Sequence, residues 1–150
     1  MIGAALSLDM PETGEQTMKW LKRIGWIVLS LPVILVIVFI LYEALGMFVN
    51  HNATRQQTDT LQTCLENEIP DIEIIHVYTE TGNTSGTGNH VDCLSSITFS
   101  TGLKQYEIEE IMEDYYVLDG WDCYLKETEE GYFLFYLNTP APFADNIEGR

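Results

Sequence analysis

Basic side chains are scarce in this chain of 150 residues, which contains 7 Lys and Arg against 23 Asp and Glu and carries a formal net charge of −16. Binding to a phosphate backbone requires clustered cations, so this balance excludes nucleic acid as a partner. The basic residues beyond residue 46 are Arg55, Lys104, Lys126 and Arg150. So sparse a set also disfavours adsorption to an anionic lipid surface, whereas a basic protein surface is a compatible partner.

Catalytic and metal-binding motifs are lacking as well. The chain has neither the CxxC, HxxxH or HExxH spacing of a zinc site nor the GxSxG turn of a serine hydrolase. His76, His90 and Asp92 are weak candidates for a metal site, because they could meet only across a hairpin. We therefore predict no bound metal, no cofactor and no enzymatic activity.

Cysteines are few, and their number is odd. Cys64, Cys93 and Cys123 all lie in the C-terminal two thirds of the chain. At most one intramolecular disulfide can form among three thiols, and the sequence does not select the pair. In a reducing compartment all three would be small buried side chains.

Charged residues are absent from one long run, from Ile24 to Tyr42. At ~1.5 Å of helical rise per residue this run covers roughly 28 Å, close to the hydrocarbon thickness of a bilayer. Only Ser30 and Pro32 interrupt its apolar character, and spanning helices tolerate proline. The run predicts a single membrane-spanning helix.

The residues that flank this run predict its orientation. Lys and Arg cluster just before it, which marks the N-terminal side as cytoplasmic and the C-terminal domain as extracytoplasmic. A cleaved secretory signal is the alternative, but the run exceeds the ~7–15 apolar residues of such signals, so an uncleaved anchor is favoured. The predicted membrane-interface residues are Lys19, Trp20, Lys22, Arg23, Trp26 and Tyr42.

Hydrophobic periodicity predicts helices and strands in the order α-β-β-α-β-β. The helices are expected at residues 54–68 and 104–117, and the strands at 72–79, 90–100, 121–125 and 132–137. This order indicates an α+β fold in which about four mainly antiparallel strands pack with two helices. The aromatic residues expected in the core are Phe99, Trp121, Phe133 and Phe135.

Composition divides the chain into five segments. We expect a disordered tail (1–17), a membrane anchor (18–46, spanning 24–42), a stalk with the first helix (47–70), the extracytoplasmic α+β domain (71–138) and a C-terminal tail (139–150). Residues 147–150 match the recognition sequence of a tag-removing protease, so we interpret them as a cloning remnant outside the fold.

The segment between the first two strands, TGNTSGTGN, is a flexible loop by composition. It lacks the lysine and the strand-to-helix context of a phosphate-binding loop, so recognition of a partner is its more credible use. The candidate contact residues are Asn83, Thr84, Ser85, Thr87 and Asn89.

These features together predict a membrane-anchored, non-enzymatic interaction module. Its partners would be the lipid bilayer and another membrane or envelope protein, for which it would act as an accessory subunit. The alternative is an extracytoplasmic domain that senses a ligand or a metal ion. A small membrane-tethered enzyme is the third hypothesis.

Overall fold

The computed structural model describes residues 13–86 and 88–150. Backbone contacts divide the chain into one unit that ends at Leu41 and a second unit from Tyr42 to Arg150. The elements follow the predicted α-β-β-α-β-β order, with a short 3₁₀ turn added at the end. They are α1 (Thr13–Glu68), β1 (Glu73–Gly82), β2 (Asp92–Ser100), α2 (Gln105–Met112), β3 (Cys123–Glu127), β4 (Phe133–Pro140) and the turn Ile147–Gly149.

Helix α1 is continuous over 56 residues. It begins at Thr13, so residues 13–17 are helical where a disordered tail was predicted; residues 1–12 of that predicted tail lie outside the described residues. The prediction of a separate helix that begins at residue 54 is wrong, because α1 continues through residues 50–53. Asn50 remains helical because its side-chain amide donates to the carbonyl oxygen of Phe143 (3.0 Å) and its side-chain oxygen accepts from the Phe143 N–H (2.9 Å).

The first unit contains the apolar run. Along this part of α1 every described side chain from residue 18 to residue 41 is exposed except that of Ser30, which is half-buried, and Pro32 lies inside the helix. Within the described residues, one helix is long and apolar enough to cross a membrane; its apolar window has a mean hydropathy of 3.0 and no buried residue. This exposure is compatible with a single-pass membrane helix, because lipid would cover such a surface.

The second unit contains a four-stranded antiparallel sheet with the strand order β1-β2-β4-β3. Its inner face packs against α1 and α2 in one hydrophobic cluster. Alternate strand residues enter this cluster, as the two-residue period of a strand requires. Its fully buried members are Leu61, Leu65, Ile97, Phe99, Ile108, Met112 and Phe135.

Two predictions about the region around α2 are wrong. The helix ends at Met112 rather than near residue 117, so Tyr115 lies beyond its end and is exposed. Trp121, expected in the core, is 85% exposed because β3 begins two residues later, at Cys123. The inward positions of β3 are occupied by Cys123 and Leu125 instead.

A polar stripe on α1 docks the helix onto the sheet. The side-chain amide of Gln57 donates to the carbonyl oxygen of Cys93 (2.9 Å) and to Ser95 Oγ (3.1 Å), while its oxygen accepts from the Thr139 hydroxyl. Four residues of α1 form this stripe, namely Asn50, Thr54, Gln57 and Thr58. Because the stripe continues at helical spacing into the buried Leu61 and Leu65, the segment predicted as a polar stalk is part of the packed domain.

The segment 139–150, predicted to be a tail, is also folded. The N–H of Val91 donates to the Ala144 carbonyl oxygen (2.8 Å), and the N–H of Ile147 donates to Glu43 Oε2 (2.9 Å). Gly149 lies so close to His90 that a Cβ atom added there would be 2.5 Å from the His90 carbonyl carbon. Residues 147–149 therefore pack against the domain.

Candidate interaction surface

The sheet face opposite α1 and α2 carries a row of tyrosines. Strand register aligns four residues across β1, β2, β4 and β3, which are Tyr78, Ser96, Tyr136 and Tyr124. The neighbouring rows are His76-Thr98-Leu134-Lys126 on one side and Glu80-Leu94-Asn138 on the other. We call these three rows the open face.

The tyrosines of the open face lie in an electronegative environment. Tyr124 and Tyr136 stack with a centroid distance of 4.7 Å and an interplanar angle of 13°, and the Tyr78 hydroxyl donates to Glu80 Oε2 at 2.6 Å. This hydrogen bond raises the pKa of Tyr78. Burial raises the pKa of Tyr136, and the negative charges of Asp122, Asp92 and Glu80 add to that effect. Both phenols are therefore neutral at pH 7, and the potential around them favours cations.

The loop after β1 folds back onto one end of the open face. The Thr84 hydroxyl donates to Asn138 Oδ1 (2.8 Å), and the N–H of Ser85 donates to Asp92 Oδ2 (3.3 Å). The Asn83 amide donates to the Gly88 carbonyl oxygen (2.6 Å). Three of the predicted partner-binding residues, Asn83, Thr84 and Ser85, are thus engaged within the protein. Asn89 is exposed, and Thr87 lies outside the described residues.

The weak metal-site candidates are only partly brought together. His90 Nε2 lies 3.2 Å from Asp92 Oδ1. His76 pairs with Thr98, six positions along β2 from Asp92, which corresponds to roughly 20 Å. Within the ranges 13–86 and 88–150, no group of three or more His, Cys, Asp or Glu side chains could hold a metal ion. The structure thus unites His90 with Asp92 and separates both from His76.

Ser85, His90 and Asp92 line a cleft of about 150 Å³ together with Asp122, Asn138, Thr139 and Pro140. Ser85 Oγ lies 3.1 Å from His90 Nε2, the same nitrogen that contacts Asp92. A catalytic triad requires the acid and the nucleophile on opposite ring nitrogens. This arrangement therefore does not activate Ser85 as a nucleophile.

All three cysteines are free thiols. Cys93 packs with Val91 and Ala141, whereas Cys123 belongs to the main core, so the disulfide considered from the sequence is not formed. Burial raises the pKa of each thiol, and that of Cys123 rises to about 11. These groups are protonated at neutral pH and act as small apolar side chains.

The loop between α2 and β3 presents an exposed indole on a fixed backbone. Asp119 Oδ1 accepts hydrogen bonds from the N–H groups of Trp121 (2.8 Å), Asp122 (2.9 Å) and Cys123 (2.9 Å). These bonds hold the pKa of the Asp119 carboxyl below its usual value. Val117 is 85% exposed, as is Trp121. The sequence pattern missed this site because Trp121 alternates in phase with the inward residues of β3.

The predicted membrane-interface residues occur in both units. Lys19, Trp20, Lys22, Arg23 and Trp26 are exposed on the first part of α1. Tyr42 belongs to the second unit, where its ring meets that of Phe143 edge-on with a centroid distance of 5.8 Å. This contact gives Tyr42 a packing role within the folded domain.

Comparison with known proteins adds no relative. No family model, curated protein or solved structure matches the chain.

Proposed function

We propose that this chain is a single-pass membrane protein whose extracytoplasmic domain binds another protein. The apolar run of α1 serves as an uncleaved anchor, and the Lys and Arg residues before it orient the N-terminus toward the cytoplasm. Residues 42–150 act as a non-enzymatic interaction module, such as an accessory subunit of a membrane complex. The acidic charge of this part favours a partner with a basic contact surface.

The observation that carries the proposal is the exposure of Trp121 on its anchored loop. Burying a large apolar side chain yields about 3 kcal/mol, and here the 85% exposed indole leaves that free energy unused in the domain. Asp119 fixes the loop backbone, so binding through this loop would cost little ordering entropy. Exposed tryptophans on rigid backbone are typical centres of protein interfaces.

The open face offers a second surface for a protein partner. It combines the stacked pair Tyr124-Tyr136 with Tyr78, which is 46% exposed. Tyrosine and tryptophan are the residue types most enriched at protein interfaces. The cleft around His90 and Asp92 is small and its polar groups bond to one another, so the ligand- or metal-sensing alternative has no comparable observation in its favour among the described residues.

Site-specific photo-crosslinking tests the partner. A photoreactive phenylalanine analogue replaces Trp121 in the full chain, which is expressed in the cells that naturally produce it. Irradiation of their membranes is expected to yield one discrete crosslinked adduct. The matched control carries the analogue at Glu110, an exposed position on α2. The same adducts from both positions, or none from position 121, would contradict the proposal.

Labelling of intact cells tests the orientation. Lys104 and Lys126 are exposed in the second unit. An impermeant amine reagent is expected to modify them before lysis and to modify Lys19 and Lys22 only after lysis. The reverse pattern would show that the domain lies in the cytoplasm.

A further inference from the structure

Strand register places two tyrosines of the open face on either side of a small residue. Tyr78 on β1 and Tyr136 on β4 flank Ser96 on the intervening strand β2. Adjacent strands lie ~4.8 Å apart, so the backbones that carry the two rings are roughly 9.6 Å apart. Ser96, the residue between them, has a small side chain and is half-buried. We call the space bounded by Tyr78, Ser96 and Tyr136 the notch.

Neighbouring residues hold both walls of the notch. One face of the Tyr136 ring is covered by Tyr124 on β3, at a centroid distance of 4.7 Å. The other face is directed to the side of Ser96, because β2 and β3 lie on opposite sides of β4. The Tyr78 hydroxyl is fixed by its hydrogen bond to Glu80 Oε2. Each of the two tyrosines therefore has one neighbour that positions it, Tyr124 for Tyr136 and Glu80 for Tyr78.

The charge around the notch is negative. Glu80 lies on the same strand face as Tyr78, and the carboxylates of Asp122, Asp92 and Glu80 all act on Tyr136. Lys126 is the one Lys or Arg of the open face within the described ranges, and it lies in the row farther from Glu80. Cations are attracted both to the faces of aromatic rings and to carboxylates.

We propose that the notch binds a lysine or arginine side chain from a basic segment of the partner protein. The aliphatic stem or guanidinium plane packs between Tyr78 and Tyr136 above Ser96, and the charged end meets Glu80. The inference rests on the proposed function, since it specifies the chemistry of the partner. It selects a protein because the net charge of −16 repels nucleic acid, anionic lipid and a second copy of this chain.

Fluorescence anisotropy of a labelled peptide tests the notch directly. The probe is a synthetic peptide of alternating Arg and Ser residues, added to the full chain in an uncharged detergent. The matched probe carries citrulline at every Arg position, which preserves shape and removes charge. We expect saturable binding of the arginine peptide, at least about tenfold weaker binding of the citrulline peptide, and weakening as salt rises.

Substitutions separate the notch from general electrostatic attraction. Tyr78→Leu is expected to weaken binding about fivefold, while Tyr78→Phe retains the ring and most of the affinity. Glu80→Gln is expected to weaken binding about threefold, and Glu110→Gln, which removes the same charge from exposed α2, less than about 1.5-fold. Tyr78 is an exposed edge-strand residue, so its variants are suitable even if substitution of the half-buried Tyr136 unfolds the domain.

Three results would overturn the notch. They are equal binding of the two peptides, equal weakening by Glu80→Gln and Glu110→Gln, and no binding of the arginine peptide at low salt. A discrete adduct from position 121 together with any of these results would leave the proposed function intact and reject only the notch. Loss of that adduct as well would reject both.

Discussion

Thr58 on α1 and Ser95 on β2 share a buried hydrogen bond, with 2.7 Å between their hydroxyl oxygens. Both side chains are almost completely inaccessible to solvent. The amide of Gln57 reaches the same Ser95 oxygen, so helix and sheet meet through a connected polar layer as well as through the hydrophobic cluster. A buried polar group without a hydrogen-bond partner costs free energy. The polar layer therefore favours one register of α1 against the sheet, the one in which its groups are paired.

Gln57→Ala is expected to lower the free energy of unfolding by about 2 kcal/mol, because it removes the hydrogen bonds of the Gln57 side chain to the Cys93 carbonyl oxygen, Ser95 Oγ and the Thr139 hydroxyl. The measurement is chemical denaturation of the full chain in detergent, followed by near-ultraviolet circular dichroism. Gln56→Ala, at the exposed neighbouring position, is the control and should change stability by less than about 0.5 kcal/mol. Equal effects at both positions would contradict the role of the polar layer.

Acid is expected to loosen the Trp121 loop. The folded-state pKa of Asp119 is depressed below 3.8, so its contribution is fully present above that value and is lost as pH falls through the lower folded-state pKa. The measurement is the fluorescence anisotropy of Trp121 in a variant that carries Trp20→Phe and Trp26→Phe. Asp119→Asn keeps an acceptor oxygen but does not titrate, so its anisotropy should stay constant over the same pH range. A transition of equal size in both proteins would exclude Asp119 as its cause.

The three thiols are expected to differ in reactivity in the native protein. Cys64 is half-buried, whereas Cys93 and Cys123 are buried, and the pKa of Cys123 is raised to about 11. Thiol modification requires the thiolate. At pH 8 a maleimide should modify Cys64 first, and Cys93 and Cys123 only after denaturation. Mass spectrometry of the tryptic peptides provides the measurement, and a disulfide-linked peptide or rapid native labelling of Cys123 would contradict it.

Gly149→Ala is expected to destabilise the domain by about 1–3 kcal/mol, because the added Cβ would lie 2.5 Å from the backbone of His90. Gly102→Ala is the matched control, since nothing lies within 4 Å of its added Cβ. The midpoint of thermal unfolding in detergent measures both effects. A Gly149→Ala protein as stable as its control would indicate that residues 147–150 do not pack in solution.

Local pattern was sufficient for much of the fold. The strand predicted at 90–100 and the helix predicted at 104–117 are present as β2 and α2. Their buried residues follow the expected periods, with Cys93, Ser95, Ile97 and Phe99 alternating along β2 and Ile108 and Met112 four apart on α2. Each of these signals is contained in a few neighbouring residues. The α+β class, the element order and the antiparallel hairpin of β1 and β2 are confirmed on this basis.

The wrong predictions concern residues whose environment is set by hydrogen bonds and strand pairing that local patterns do not show. Trp121 alternates in phase with the inward residues of β3. However, the Asp119 carboxylate accepts hydrogen bonds from the N–H groups of Trp121 and Asp122, which form a turn, and β3 begins only at Cys123. Asn50 resembles a helix break, yet its amide satisfies the backbone of Phe143, 93 residues away. The tyrosine row and the notch likewise require the register of strands that are distant in sequence.

The apolar run of α1, the acidic charge and the order of helices and strands follow from the amino-acid sequence, because hydrophobic periodicity and composition are local properties. The burial of polar side chains, the exposure of aromatic residues and the packing of residues 141–150 follow from tertiary contacts. Those outcomes depend on hydrogen-bond partners supplied by distant segments, and such partners have no local signature in the chain.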